Sequence, residues 1–156
     1  VPGSETQDPY FSALAAGLAV VPEGDVLVAR RQLLAADVLA LGDTPYELVP
    51  APGEGRLIWP VVVIVGYTFG TTPYTPPTSV SVGWHNGSLP VELAVNTGTF
   101  AGLAATQDKE ATMPLTYGID YTPAQSRNVP LKLWADSNPA DGDGELTVTT
   151  LYTILG

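Results

Sequence analysis

The chain has 156 residues, 45% of them apolar and only 14% charged, with sixteen acids against six bases and a formal net charge of -10. That size and apolar content support one domain with a real core, while the negative field repels phosphate backbones and argues against nucleic acid as a partner. With no cysteine, neither a disulfide framework nor a thiolate metal site can form.

Residues 1–24 differ in kind from the rest. They begin with polar turn formers, carry an apolar middle from Tyr10 to Val21, and end at Pro22-Glu23-Gly24. A disordered tail is poor in apolar residues, so this segment needs a surface to lie on, either its own domain or a neighbouring subunit. It is read as an N-terminal arm, with a helical pattern in "PYFSALAAGLA", in front of a domain covering residues 25–156. No Lys or Arg precedes Arg30, so the basic start of a secretory signal is not found. The opening Val1 fits either removal of an initiator Met or a longer precursor.

Past the arm, "DVLVARRQLL" and "YELVP" read as strands on either side of a short helix in "AADVLAL", residues 35–41. "RLIWPVVVIVGYTFG", residues 56–70, holds nine consecutive apolar residues from Leu57 to Val65. It is too short to span a bilayer, and Pro60 would break a helix there. At strand period it puts Leu57, Trp59, Val61, Val63, Val65, Tyr67 and Phe69 on a core face. Ile58, Pro60, Val62, Ile64, Gly66 and Thr68 fall on a second face that is itself apolar for half its length. Proline lacks the N–H a ladder uses, so a bend or bulge is expected near Pro60, and something must cover the second face.

"TSVSVGWH" alternates, with Val80, Val82 and Trp84 inward, and "PVELAV" gives Val91, Leu93 and Val95 inward. "FAGLAA", residues 100–105, reads as a short helix and "MPLTY" as another strand. "VPLKLWAD" points Leu131 and Leu133 inward and Lys132, Trp134 and Asp136 outward. "GELTVTTLYTILG" closes the series with Leu146, Val148, Thr150, Tyr152 and Ile154 on one face, in a β-branched pattern typical of sheet. About eight short strands with fifteen prolines and sixteen glycines spread between and through them predict an all-β antiparallel sandwich or jelly roll with minor short helices.

Signals for chemistry are few. His85 is the only histidine, so multi-histidine metal sites are excluded and no nucleophile–His–acid pattern is evident. It sits beside Asn86-Gly87, a hairpin-turn dipeptide, and reads as a solvated turn residue. Most acids, such as Asp43 and Asp141, lie in turns where acids are favoured. "DSNPADGDGE", residues 136–145, offers alternating carboxylates suited to calcium, but counted from Asp141 the sixth position is Leu146 and the twelfth Tyr152, which breaks the EF-hand template. Asn86-Gly87-Ser88 also matches a glycosylation sequon. No cofactor and no enzyme activity are expected.

"AADVLALGDTPYELVPAPGEGRLIWPVVVIVGY", residues 35–67, resembles a pattern in small structural proteins of tailed bacteriophages: a short turn, a "TP..LVpAPG.G" hairpin and a long apolar strand. The ending, with Asn138-Pro139, Gly142, Gly144, Leu146, Val148 and Tyr152, resembles their closing hairpin and last strand. Together the pieces cover about a third of the chain. The whole is similar to capsid decoration (auxiliary, or cement) proteins, especially the trimeric β-rich kind with an extended arm known from thermophilic phages.

The resemblance implies a homotrimer on the outer surface of an icosahedral head, tying neighbouring major capsid proteins together, with no catalytic residue. Residues 1–34 and 99–128 match no part of the pattern, so the arm's role rests on analogy. In this reading Tyr10, Phe11, Leu14 and Leu18 anchor the arm, and Trp134 is an exposed contact unless a bulge turns it into the core. One methionine, few asparagines and many loop prolines fit heat tolerance. The alternative is a carbohydrate-binding module or the receptor-binding tip of a fibre, using Trp134, Tyr74 and Tyr117 as an aromatic platform.

Overall fold

The computed structural model describes residues 24–97, 103–116 and 118–156. Among these residues eight strands form two four-stranded antiparallel sheets: β1 (Leu27–Leu33), β2 (Tyr46–Val49), β3 (Leu57–Thr68), β4 (Ser79–Trp84), β5 (Val91–Thr97), β6 (Lys109–Met113), β7 (Leu131–Ala135) and β8 (Glu145–Leu155). The first sheet has the order β1-β8-β3-β6 and the second β2-β7-β4-β5. Two short helices join them, α1 (Ala35–Leu39) and α2 (Pro123–Ser126). None of the helices among the described residues is long and apolar enough to cross a membrane.

The pairings are nested. β4 pairs with β5, β3 with β6, β2 with β7 and β1 with β8, so the chain runs as one long hairpin whose tip is the β4–β5 turn. Further pairing of β3 with β8 and β4 with β7 wraps that hairpin into two sheets. Only the step from β4 to β5 stays within a sheet, and every other connection crosses the sandwich. This is the jelly-roll arrangement. Its inner faces meet as the alternation requires: Val63, Val65, Leu146 and Val148 from the first sheet and Val80, Val82, Trp84, Leu131 and Leu133 from the second are fully buried in one core.

Two bulges revise the expected faces. Tyr152 opposes Pro60 and Leu151 opposes Val62, which leaves Val61 extruded and 42% exposed. Because side chains alternate strictly, the extra residue moves the core face from Val63, Val65 and Tyr67 to Ile58 and Pro60 on the other side of it. Val61 therefore does not line the core face, while Leu57 is buried and Trp59, half-buried, still packs against the core with its ring 5.9 Å from that of Trp84. In β5, Ala94 opposes Val82 and Glu92 opposes Gly83, so Leu93 is the extra residue and Val95 comes to lie opposite Ser81, not inward. A side chain on Gly83 would collide with the Val91 carbonyl oxygen at this bulge.

Other expectations shift for local reasons. β6 is "KEATM", shifted four residues upstream of "MPLTY" and sharing only Met113 with it; Leu115 contributes a single bridge to Ala94. Residues 103–105, the described end of "FAGLAA", form a turn rather than a helix. The "APGEG" segment is not a hairpin, because β2 and β3 belong to different sheets. It is a crossing loop, with Gly53 and Gly55 at positive φ and the Asn128 side chain accepting the Gly53 N–H at 3.0 Å. The Asn138 side chain likewise ties the closing segment to the turn before β2: Oδ1 accepts the N–H groups of Gly42 and Asp43, and Nδ2 donates to the Asp43 carboxylate at 2.6 Å.

β6 pairs with β3 between Val63 and Tyr67, so among the described residues no strand lies beside that side of β3 upstream of Val63. The Trp84 indole N–H reaches across the sandwich and donates to the buried Ile58 carbonyl at 2.7 Å. Trp84→Phe is expected to lower stability by about 2–4 kcal/mol, because it leaves that acceptor unpaired and a void beside it. Thr150 is the converse case: fully buried between the sheets, with a hydroxyl that has no hydrogen-bond partner among the described residues. Thr150→Val is expected to raise stability by about 1 kcal/mol, read as a higher urea midpoint at unchanged slope.

Candidate interaction surface

The outer face of the first sheet is laid out by its register. Val28 on β1 lies opposite Leu151 on β8, which lies opposite Val62 on β3. Val61 protrudes beside this row from its bulge, and Val26, two residues before Val28, continues the same side. Val26 and Val28 are 60% and 65% exposed, while Leu151 and Val62 are half-buried. The second face of the long apolar ribbon is thus left partly open.

Further along, the face turns polar. The next rows hold Arg30, Thr149, Ile64 and Thr112, then Gln32, Thr147, Gly66 and Glu110. The missing side chain of Gly66 and the short threonines make a shallow depression, rimmed by Arg30, Lys109 and Glu110. Sequence alternation alone did not single out Val26, Val28 or Val61, since the first two sit in a strand with mixed faces and the third depends on the bulge.

Trp134 is not an exposed contact. It lies on the outer side of the second sheet, as the alternation requires, and the β4–β7 register through it is unbroken, with Ser81 opposite. It is nevertheless only 9% exposed. The His85 ring packs edge-on against it at 5.1 Å. Neither the flat exposed ring nor the bulge that would turn it into the core is found. Tyr74 is buried too, its hydroxyl donating to the Gly144 carbonyl at 2.6 Å, so two of the three aromatics expected for a sugar platform are covered. Tyr117 lies outside the described residues, as do Tyr10, Phe11, Leu14 and Leu18.

His85 is half-buried, and its Nδ1 accepts the Gly87 N–H at 3.1 Å. Burial, with Lys132 nearby, holds its pKa below the ordinary histidine value. Among the described residues no group of three or more His, Asp or Glu is arranged to hold a metal ion. The carboxylates of the "DGDGE" loop are engaged within the protein. Asp143 accepts the N–H groups of Thr71 and Thr72 at 2.8 Å, Asp141 accepts the Thr75 hydroxyl, and Glu145 accepts the Gln32 amide. The glycines between them let this loop close on two rings: a side chain at Gly142 would strike Tyr74, and one at Gly144 would strike Tyr67.

The outer face of the first sheet thus offers an apolar strip beside a polar depression. The sequence matches no protein-family model and no curated protein. Solved structures share the fold. The chain is similar to one in the capsid of Ralstonia phage GP4, at 17% identity and a TM-score of 0.54, over 85% of this chain and 88% of that one. It is also similar to a chain of the cyanophage Pam1 capsid asymmetric unit, at 16% identity and a TM-score of 0.52, over 86% and 91% of the two chains. At these identities the likeness is one of fold, and it extends over nearly the whole jelly roll.

The Asp143 carboxyl is held below its ordinary value of 3.8 by the Thr71 hydroxyl and the two backbone N–H groups. A lowered folded-state pKa gives stability that is complete above the unfolded value and is lost as pH falls through the folded one. The melting temperature is thus expected to fall with acid below the ordinary aspartate range. Asp143→Ala is expected to melt lower than wild type at neutral pH and to show less of that acid dependence. Thermal melts across a pH series check this, and parallel acid profiles for the two proteins would count against it.

Proposed function

We propose that this protein is a structural component of a tailed-phage head, bound on the outer surface as a trimer and bridging neighbouring copies of the major capsid protein. The observation that carries the reading is the open apolar strip of Val26, Val28 and Val61 on the outside of the first sheet. A fold shared with chains of two phage capsids supports it, and a net charge of -10 suits a position away from packaged DNA.

Magnitudes constrain how such binding works. Burying the exposed parts of three valines stabilises a contact by about 1 kcal/mol each. The total, about 3 kcal/mol, falls short of even a millimolar affinity by itself. A second contact is needed, and residues 1–24, with Tyr10, Phe11, Leu14 and Leu18, supply it in this proposal. Linking the two contacts within a trimer multiplies weak interactions by effective concentration, and binding that favours only the assembled shell stabilises the shell.

Sedimentation with undecorated heads tests the reading, with a polysaccharide panel as the control. Wild type is expected to pellet with heads and not with polysaccharide, and light scattering of the free protein is expected to give a trimer mass. Val28→Asp with Val61→Asp is expected to cut head binding by about tenfold or more, since each buries a charge, while the far-ultraviolet spectrum stays unchanged. Deleting residues 1–24 is expected to weaken binding further. Pelleting with polysaccharide alone, or undiminished head binding by both variants, would overturn the proposal.

A further inference from the structure

The β4–β5 turn carries a group of atoms that the interaction surface does not use. Asn86 and Gly87 are exposed at its tip, and Gly87 stands at φ +99 with open space around it. The Gly87 N–H points at Nδ1 of His85, 3.1 Å away. The Asn86 side-chain carbonyl accepts from three donors, the Ser88 N–H at 3.2 Å, the Ser88 hydroxyl at 3.3 Å and the Leu89 N–H at 3.3 Å. Its amide nitrogen faces the Ala124 carbonyl at 3.4 Å.

These are the parts of an acyl-transfer site. A backbone nitrogen with no side chain beside it is the nucleophile, a ring nitrogen stands where its proton must go, and three donors surround the oxygen on which negative charge develops. We propose that Asn86-Gly87 is a self-modifying site, at which the folded turn promotes cyclisation of Asn86 to a succinimide and its hydrolysis to aspartate and isoaspartate.

In the first step the Gly87 nitrogen bonds to Cγ of Asn86 and gives its proton to His85 Nδ1. The carbonyl oxygen carries the charge among its three donors. The C–Nδ2 bond then breaks, the imidazolium returns the proton to Nδ2, and ammonia leaves. Water opens the ring at either carbonyl. The net change is one amide and one water converted to one carboxylic acid and one ammonia, with no oxidant or other reagent.

His85 is suited to this part because its ring packs edge-on against Trp134, its Nδ1 accepts the Gly87 N–H, and burial favours its neutral form. Of the other asparagines, Asn138 precedes Pro139, which has no N–H to attack with, and Asn96 and Asn128 precede the β-branched Thr97 and Val129. The same fold therefore holds its own unreactive comparisons. Each conversion places a new negative charge at the tip of the long hairpin, so copies of the protein would differ in surface charge with age.

The test is to hold the full chain near neutral pH, folded and in denaturant, and to follow by peptide mass mapping the loss of ammonia and later gain of water at Asn86. Conversion is expected to run faster in the folded protein than in the unfolded one. His85→Phe, which keeps a ring against Trp134 but removes the acceptor, is expected to slow the folded reaction by about tenfold, less than a fully aligned general base supplies, and to leave the unfolded rate unchanged. Folded wild type reacting no faster than unfolded overturns the proposal without any variant. So does an unchanged rate in a folded His85→Phe protein.

Discussion

The antiparallel pairing of β3 with β8 runs from Leu57 opposite Leu155 to Thr68 opposite Glu145, and the rest of the first sheet is built against it. Among the described residues β1 pairs with β8 and β6 with β3, so the two halves of this sheet are joined only through the central pair. The two partners are far apart in sequence, and the entropy of closing that loop must be met before any contact rewards it. Length is the answer the sequence provides, for these are the two longest strands, at 12 and 11 residues. The bulge at Val61 follows from the same pairing: Pro60 cannot donate to the ladder, and slipping one residue lets the register resume beyond it.

The two ends of the sandwich are closed by different means. At the end holding the start of β8, carboxylates accept backbone N–H groups of the loops: Asp108 from Phe69, Asp136 from Ser79 and Asp143 from Thr71 and Thr72. Asp43 is tied to Asn138 there as well. Ionised acceptors make shorter and stronger bonds than neutral ones, so a chain poor in charge spends several of its acids on loops. Much of the acidic excess is thus structural. At the other end, around the β4–β5 turn, neutral and cationic groups replace the carboxylates: Asn128 accepts the Gly53 N–H, Arg127 donates to the Gly55 carbonyl, and Trp84 packs against Tyr121 at 4.7 Å, with Leu89 and Tyr121 exposed beside them.

Strand number, sandwich class and most strand positions were legible because alternation survives wherever one face is buried. What was not legible depends on neighbours the sequence does not name. The bulges at Val61 and Leu93 exist relative to β8 and β4, and each exchanges inward for outward in part of a strand. β6 was concealed because "KEATM" lies at a sheet edge, where Lys109 and Glu110 face water and only Met113 is buried. The helix α2 does carry a sequence signal, Thr122 before Pro123 with Gln125 three residues on, whose side chain accepts the Thr122 N–H at 2.9 Å. For the surface, alternation gave Trp134 its correct side but could not tell that His85 would cover it. The arm anchors lie outside the described residues, so the surface seen here is the strip on the first sheet.

That strip has a direction. Val61, Val62 and Leu151 sit on the half of the first sheet nearer the β4–β5 turn, while the loop-closing acids gather at the opposite end. A partner approaching Val28 and Val61 meets the uncharged Leu151 and Val62 beside them, and one approaching the far end meets carboxylates whose lone pairs are already engaged. Desolvating a bonded carboxylate costs several kcal/mol unless it is paired again, so apolar docking is disfavoured there. In the proposed arrangement the acidic end faces solvent and the valine strip faces the shell or a sister subunit, because that orientation leaves the loop hydrogen bonds intact while covering an apolar row that the sheet pairing leaves open among the described residues.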